Sequence, residues 1–264
     1  MNLNMIGKYA GAVLLASTLG ACGALQQDPQ CVVAKGSFAT VFTPKPGQDT
    51  TLACAQLTPQ RVGLEKYFSE DPSVPDTVAV RARVVGELLT NTKYRVDGDG
   101  PNQPNSVGKL TTDAPGPDNF CEVPALGATD VAMRLIADGT PQRLTYVWSN
   151  LRVYNTPEIP GTQFTADLSY TENGCTAEYS VKGIWPVVTC EKDQVVLGPD
   201  GQPVLGTDGK PKTVKVPDET KCDPRADPAA GRIRGSGINP IFPVTCHPTV
   251  RMCVLVGEVP SDKP

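Results

Sequence analysis

Apolar and polar residues alternate with a period of two along much of this chain. The pattern is clearest at residues 144–155, where Val147, Leu151 and Val153 fall on one face. Tyr146, Trp148, Asn150, Arg152 and Tyr154 fall on the other. Side chains of a strand point alternately to its two sides, so this segment reads as a strand with one face inward. Residues 163–171 and 175–183 follow, on either side of Asn173-Gly174, a strong signal for a type I′ hairpin. With that dipeptide at the tip, Tyr170 faces Ala177, Leu168 faces Tyr179 and Ala166 faces Val181. On the other side Ser169 meets Glu178, Asp167 meets Ser180 and Thr165 meets Lys182. Apolar meets apolar and polar meets polar, as a one-sided antiparallel sheet requires.

Residues 31–43 are β-branched and aromatic and read as a strand, turned by Pro44–Asp49 into a return over 50–55. Residues 77–83 alternate again. Residues 84–94 carry Val84, Val85, Leu88 and Leu89 on one side, and a short helix is one reading of them. Residues 97–105 and 113–119 are loops, and residues 242–256 form a hairpin in which Cys246 faces Cys253 across a Pro248 turn. Residues 191–230 break the pattern. They hold Leu197-Gly-Pro-Asp-Gly-Gln-Pro203 and, eight residues on, Leu205-Gly-Thr-Asp-Gly-Lys-Pro211. This reads as a protruding arm, its stem a ribbon of 194–196 against 214–216. The fold expected is mostly β, an antiparallel β-sandwich stapled by disulfides with a protruding Gly/Pro-rich arm. It occupies residues 31–264 as one domain, the alternative being two small β domains split near 125.

Composition agrees. The 25 glycines and 26 prolines disfavour long helices and supply turns. The 264 residues carry a net charge of −4, or −5 once Lys8 leaves with the leader described below. A mildly acidic chain without basic clusters argues against nucleic acid as a partner.

The first 21 residues have the parts of an export signal: Lys8, an apolar run over 9–18 too short to span a bilayer, and Leu19-Gly20-Ala21 before Cys22. This resembles a bacterial lipoprotein signal with its lipobox. The resemblance implies cleavage before Cys22, a diacylglycerol thioether on its sulfur, an acylated amine of the palmitate kind, and a membrane as partner. Gly23, where aspartate would favour inner-membrane retention, implies the outer membrane. Residues 22–30 are then a tether.

Eight cysteines remain: Cys31, Cys54, Cys121, Cys175, Cys190, Cys222, Cys246 and Cys253. An even number in an exported chain reads as four disulfides. The pairing expected is Cys190 with Cys222, Cys246 with Cys253, Cys31 with Cys54 and Cys121 with Cys175.

Candidate chemistry is sparse. His247 is the only histidine and lies in a turn, so Ser-His-Asp and Cys-His machinery lacks a partner in place. Gly235-Ser236-Gly237 lacks the outer residues of a hydrolase elbow. Asp97-Gly98-Asp99-Gly100 starts like a calcium loop, but Pro101 replaces the next ligand. No catalytic residue, metal or cofactor is assigned. Tyr146, Trp148, Asn150, Arg152 and Tyr154 form the candidate binding face, for a protein or a glycan, set against burial under a second layer. Residues 161–179, Gly235-Ser236-Gly237-Ile238-Asn239-Pro240 and the last hairpin resemble lipoproteins of myxobacteria. That resemblance implies a place in the envelope and no particular activity. The reading is a lipid-anchored binding or structural module rather than an enzyme; the alternative is an envelope glycan hydrolase with paired carboxylates.

Overall fold

The computed structural model describes residues 29–98 and 100–261. The export signal, Cys22 and most of the tether lie outside the described residues.

The chain enters β1 at Gly36–Pro44. It makes a 3₁₀ turn at Ala53–Ala55 and returns as β2, Gln60–Tyr67. The return strand expected at 50–55 is thus displaced to β2. The cause lies at Cys54, which is disulfide-bonded to Cys175 while its carbonyl accepts a 2.5 Å hydrogen bond from Tyr179 Oη. Next come β3 (Thr77–Ala82) and α1 (Arg83–Thr90). In α1 Val85 and Leu88 turn inward, and Arg83 pairs with Glu87 one turn on, at 2.5 Å. Four short strands lead on: β4 (Tyr94–Val96), β5 (Asn102–Gln103), β6 (Ser106–Lys109) and β7 (Phe120–Ala125). Then come β8 (Thr129–Leu135), β9 (Pro141–Asn155), β10 (Pro160–Glu172) and β11 (Cys175–Ile184).

These strands form one antiparallel sheet in the order β4-β8-β9-β10-β11-β1-β2-β3-β6, with β5 also on β8 and β7 also on β9. The sheet curls until its ends meet. Thr111 N donates to Glu122 O and Gly127 N to Val107 O, both at 2.9 Å, tying the β6 edge to β7. Gly108 permits the approach, since a Cβ there would fall 2.5 Å from Ala125 O and Val123 Cγ1. The two halves of the curled sheet face each other as the layers of a sandwich. Phe38, Leu64, Val80, Met133, Trp148 and Leu168 share its core.

The β10–β11 hairpin has the register read from the sequence. Tyr170 opposes Ala177, Leu168 opposes Tyr179 and Ala166 opposes Val181, all six buried. Asn173 and Gly174 take φ of 49° and 87°, as a type I′ turn demands.

The arm starts with β12 (Glu191–Val195) against β13 (Thr213–Pro217), Gln194 opposite Val214. Its two Asp-Gly units close small turns, Asp200 Oδ1 accepting from Gln202 N and Asp208 Oδ1 from Lys210 N, both at 3.2 Å. The eight-residue repeat also closes a ring of three backbone bonds: Val204 N to Val196 O, Lys212 N to Val204 O and Val196 N to Lys212 O. At the arm's root, β14 (Val244–Cys246) and β15 (Cys253–Leu255) join Ile159, Ile184, Ile238 and Phe242 in a second, smaller core.

All eight cysteines after Cys22 are bonded, but none in the expected pairing. The bridges are Cys31–Cys121, Cys54–Cys175, Cys190–Cys246 and Cys222–Cys253. Cys246 and Cys253 do face each other across β14–β15, yet each bonds away from its neighbour. The sulfurs of Cys190, Cys222 and Cys253 lie within 4.8 Å of one another, so two bridges pack side by side and sequence proximity could not choose between them.

The start of the described chain is tied down by a polar knot. Lys66 Nζ pairs with Asp76 Oδ2 and donates to Cys31 O, both at 2.7 Å, while Asp76 Oδ1 accepts from Ser69 N. Lys66 and Asp76 side chains are 7% and 12% exposed, so this is a buried pair.

Non-reducing peptide mapping should recover the four bridges above. A protease nicking the exposed arm within 197–212 should release no fragment until reductant is added, because Cys190–Cys246 joins the halves. The polar knot gives a dependence on acid. Burial works against an ionised Asp76, but the Lys66 and Ser69 contacts outweigh it and hold the carboxyl below its ordinary 3.8. A depressed carboxyl contributes stability that is present above its unfolded value and lost as pH falls through the folded one. Urea denaturation should therefore show stability dropping below about pH 4. Asp76→Asn should flatten that drop and cost about 3 kcal/mol at pH 7 by stranding Lys66.

Candidate functional site

The residues expected to form a binding face do not share one. Tyr146 and Trp148 are 0% and 1% exposed, whereas Asn150 is exposed and Arg152 and Tyr154 are half-buried. The cause is a bulge. Thr165 pairs with Arg152 but Asp167 pairs with Ser149, so β9 carries one residue more than β10 there, with Asn150 left-handed at φ 50°. The inward parity switches from Leu144, Tyr146 and Trp148 to Leu151, Val153 and Asn155. Asn150 and Arg152 do line a cavity of about 490 Å³, but both are already engaged. Asn150 donates to Asp167, Lys45 pairs with Asp167, and Arg152 binds Glu122 and Asp118 while lying over the Phe120 ring.

The other motifs weighed from the sequence have local duties. His247 Nδ1 accepts from Val250 N at 3.4 Å, and Ser236 Oγ donates to Cys222 O. Asp97 pairs with Arg134, and Asp99 lies outside the described residues. A cavity of about 720 Å³ at the arm's root is lined by ion pairs that close on themselves, Arg225 with Asp223 and Arg232 with Asp227.

A groove of about 500 Å³ is different. Three walls make it: the 3₁₀ segment with Gln56 and Gln60, helix α1 with Glu87 and Asn91, and the β9–β10 pair with Gln142 and Glu172. Leu57, Leu88, Leu144 and Tyr170 form its apolar floor. The first wall is positioned by Cys54–Cys175 and by Tyr179 Oη, which bridges Cys54 O and Leu57 N. The third is a preset network. Glu172 accepts from Tyr170 Oη at 2.9 Å and from Gln142 Nε2 at 3.0 Å, and Gln142 Oε1 accepts from Asn173 Nδ2 at 3.1 Å.

Beneath the floor, Tyr146 Oη is fully buried with no hydrogen-bond partner among the described residues. It lies by Gln60, whose Oε1 is held only loosely by Val84 N at 3.4 Å. Burial first, then its charged and phenolic neighbours, push the Tyr146 and Tyr170 hydroxyls above their ordinary range, so both are neutral donors. No Lys or Arg lines the groove among the described residues. Nothing in the sequence marked this site, whose residues are common polar types from four separated segments. The one usable signal was Glu172 beside the Asn-Gly tip.

Fold and groove together define a disulfide-stapled antiparallel β protein with an open, uncharged-to-acidic groove. The chain belongs to the MlpA family, which matches residues 36–186, more than half its length and the whole of the groove. A Myxococcus xanthus protein described as "Putative lipoprotein MlpA" is 24% identical over 273 aligned residues, which cover all of both chains. No solved structure matches.

Tyr146→Phe removes a buried hydroxyl that Gln60 approaches without completing a hydrogen bond. Chemical denaturation should show stability unchanged or raised by up to about 1 kcal/mol. A loss larger than that would mean the hydroxyl is bonded in solution.

Proposed function

We propose that this protein is a lipid-anchored module of the bacterial envelope, held at the outer membrane through Cys22, that binds a partner in the α1/β9–β10 groove. The observation that carries the binding role is the groove's preset polar network around Glu172, set over the unpartnered Tyr146 hydroxyl. In the cavity at the arm's root the Arg225–Asp223 and Arg232–Asp227 pairs are closed on themselves, and in the other cavity Arg152 and Asp167 are held by Glu122, Asp118 and Lys45. The anchor rests on the Leu19–Cys22 box and on the name of the M. xanthus relative.

A second reading has one observation in its favour: Glu87 and Glu172 line the same groove, as a glycan hydrolase with paired carboxylates would need. Both Glu172 oxygens accept hydrogen bonds, which suits a fixed acceptor better than a nucleophile. Turnover of a glycan that Glu172→Gln abolishes would favour the hydrolase.

The test is site-directed photo-crosslinking on intact cells. A crosslinker at Asn91 should capture a partner, and one at Thr207 in the arm should not. Cys22→Ser should move the chain to the soluble fraction. Capture from Thr207 alone, or a Cys22→Ser protein that stays with membranes, would overturn the reading.

A further inference from the structure

We propose that the groove takes a neutral, polyhydroxylated ligand, a saccharide. This rests on the binding reading above and narrows it to a ligand class. Four of the groove's lining side chains are carboxamides: Gln56, Gln60, Asn91 and Gln142. A carboxamide carries both a donor and an acceptor without charge, and a sugar hydroxyl is likewise donor and acceptor at once.

Local bonding fixes which end each amide presents. Gln56 engages its Nε2 with Thr50 O and Thr51 O, so its Oε1 remains as an acceptor. Asn91 engages its Oδ1 with Lys93 N, so its Nδ2 remains as a donor. Gln60 has its Oε1 toward Val84 N, which leaves Nε2 as a second donor. Gln142 is wholly engaged between Glu172 and Asn173 and serves to hold the Glu172 carboxylate, an acceptor for paired hydroxyls. Free donors and free acceptors therefore both stand around an apolar floor of leucines, with the half-buried Tyr94 also in the lining. That suits a ring with hydroxyls at its rim and C–H groups on its face.

Charge removes the main rivals. Glu87 is neutralised by Arg83, but Glu172 keeps its charge and no Lys or Arg lines the groove among the described residues, so a phosphate or an acidic peptide finds no cation there. Its walls carry too many amides to enclose an acyl chain without leaving polar groups unpaired.

The test uses the full lipidated chain in nanodiscs and isothermal titration. The probes are chitotriose, maltotriose and cellotriose, with inorganic phosphate and spermidine as anionic and cationic controls. At least one oligosaccharide should bind, and neither ion should compete with it. Asn91→Ala, at an exposed position beyond the end of α1, and Gln142→Ala should each weaken binding about tenfold or more, the scale of one well-placed hydrogen bond. Thr207→Ala in the arm should leave it unchanged. Failure of all three oligosaccharides to bind overturns the proposal, as does binding that Asn91→Ala and Gln142→Ala leave intact. A polypeptide captured in cells from residue 91, with no oligosaccharide bound, would overturn the saccharide and leave the binding module standing. Neither capture nor binding would remove both.

Discussion

The rest of the molecule depends on how β9 changes faces. This strand runs for fifteen residues, pairing with β8 over its first half, β7 over its second and β10 along most of its length. Its buried residues fall on even positions up to Trp148 and on odd positions from Leu151. A regular strand would expose one set, at roughly 2 kcal/mol for each large side chain left in water. The bulge at Asn150 resolves the conflict with one residue in a left-handed conformation, which asparagine adopts more readily than most. The Asn150 bond to Asp167 on β10 then holds the bulge in place. Tyr146, Trp148, Leu151 and Val153 thereby all reach one core.

That single residue also divides what the sequence made legible from what it did not. The β10–β11 hairpin could be read to the residue because its period is unbroken and its turn residues have only one conformation to offer. In β9 the same rule placed Tyr146 and Trp148 with Arg152, since nothing local announces an extra residue opposite Ala166. Disulfide pairing failed for another reason. Cys246 and Cys253 are opposite one another, as the hairpin pattern required, but bonding was decided by Cys190 and Cys222 arriving from the arm's two ends. The groove was invisible because Gln56, Asn91, Gln142 and Glu172 come together only when the sheet closes, and no spacing links them.

The groove in turn shows what the long bridges do. Cys54–Cys175 spans 121 positions and restricts the unfolded chain accordingly, by about 4–5 kcal/mol in the chain-entropy account. Its local effect is as important, because it pins the 3₁₀ segment against the hairpin and so fixes where Gln56 stands. The residues matched by the MlpA family contain that bridge, α1 and the β9–β10 pair, and stop short of the arm. The arm closes its own ring of backbone bonds and contributes no side chain to the groove. Scaffold and site thus belong to one unit, with the arm and second core added at its end.

The same separation bears on how the groove would be held at a membrane. If Cys22 carries the anchor proposed above, the seven residues from Gly23 to Pro29 can span at most roughly 25 Å. Load on that tether enters the fold at Gln30 and Cys31. There it meets the bridge to Cys121 on β7, the Lys66 bond to Cys31 O and the Asp113 carbonyl that accepts from Cys31 N. Each transfers force to a different part of the curled sheet: β7, β2 and the loop before β7. None enters the 3₁₀ segment or α1 directly, and β2 is loaded at Lys66, the end of the strand away from the groove residue Gln60. A pull on such a tether would reach the groove only along the length of that strand.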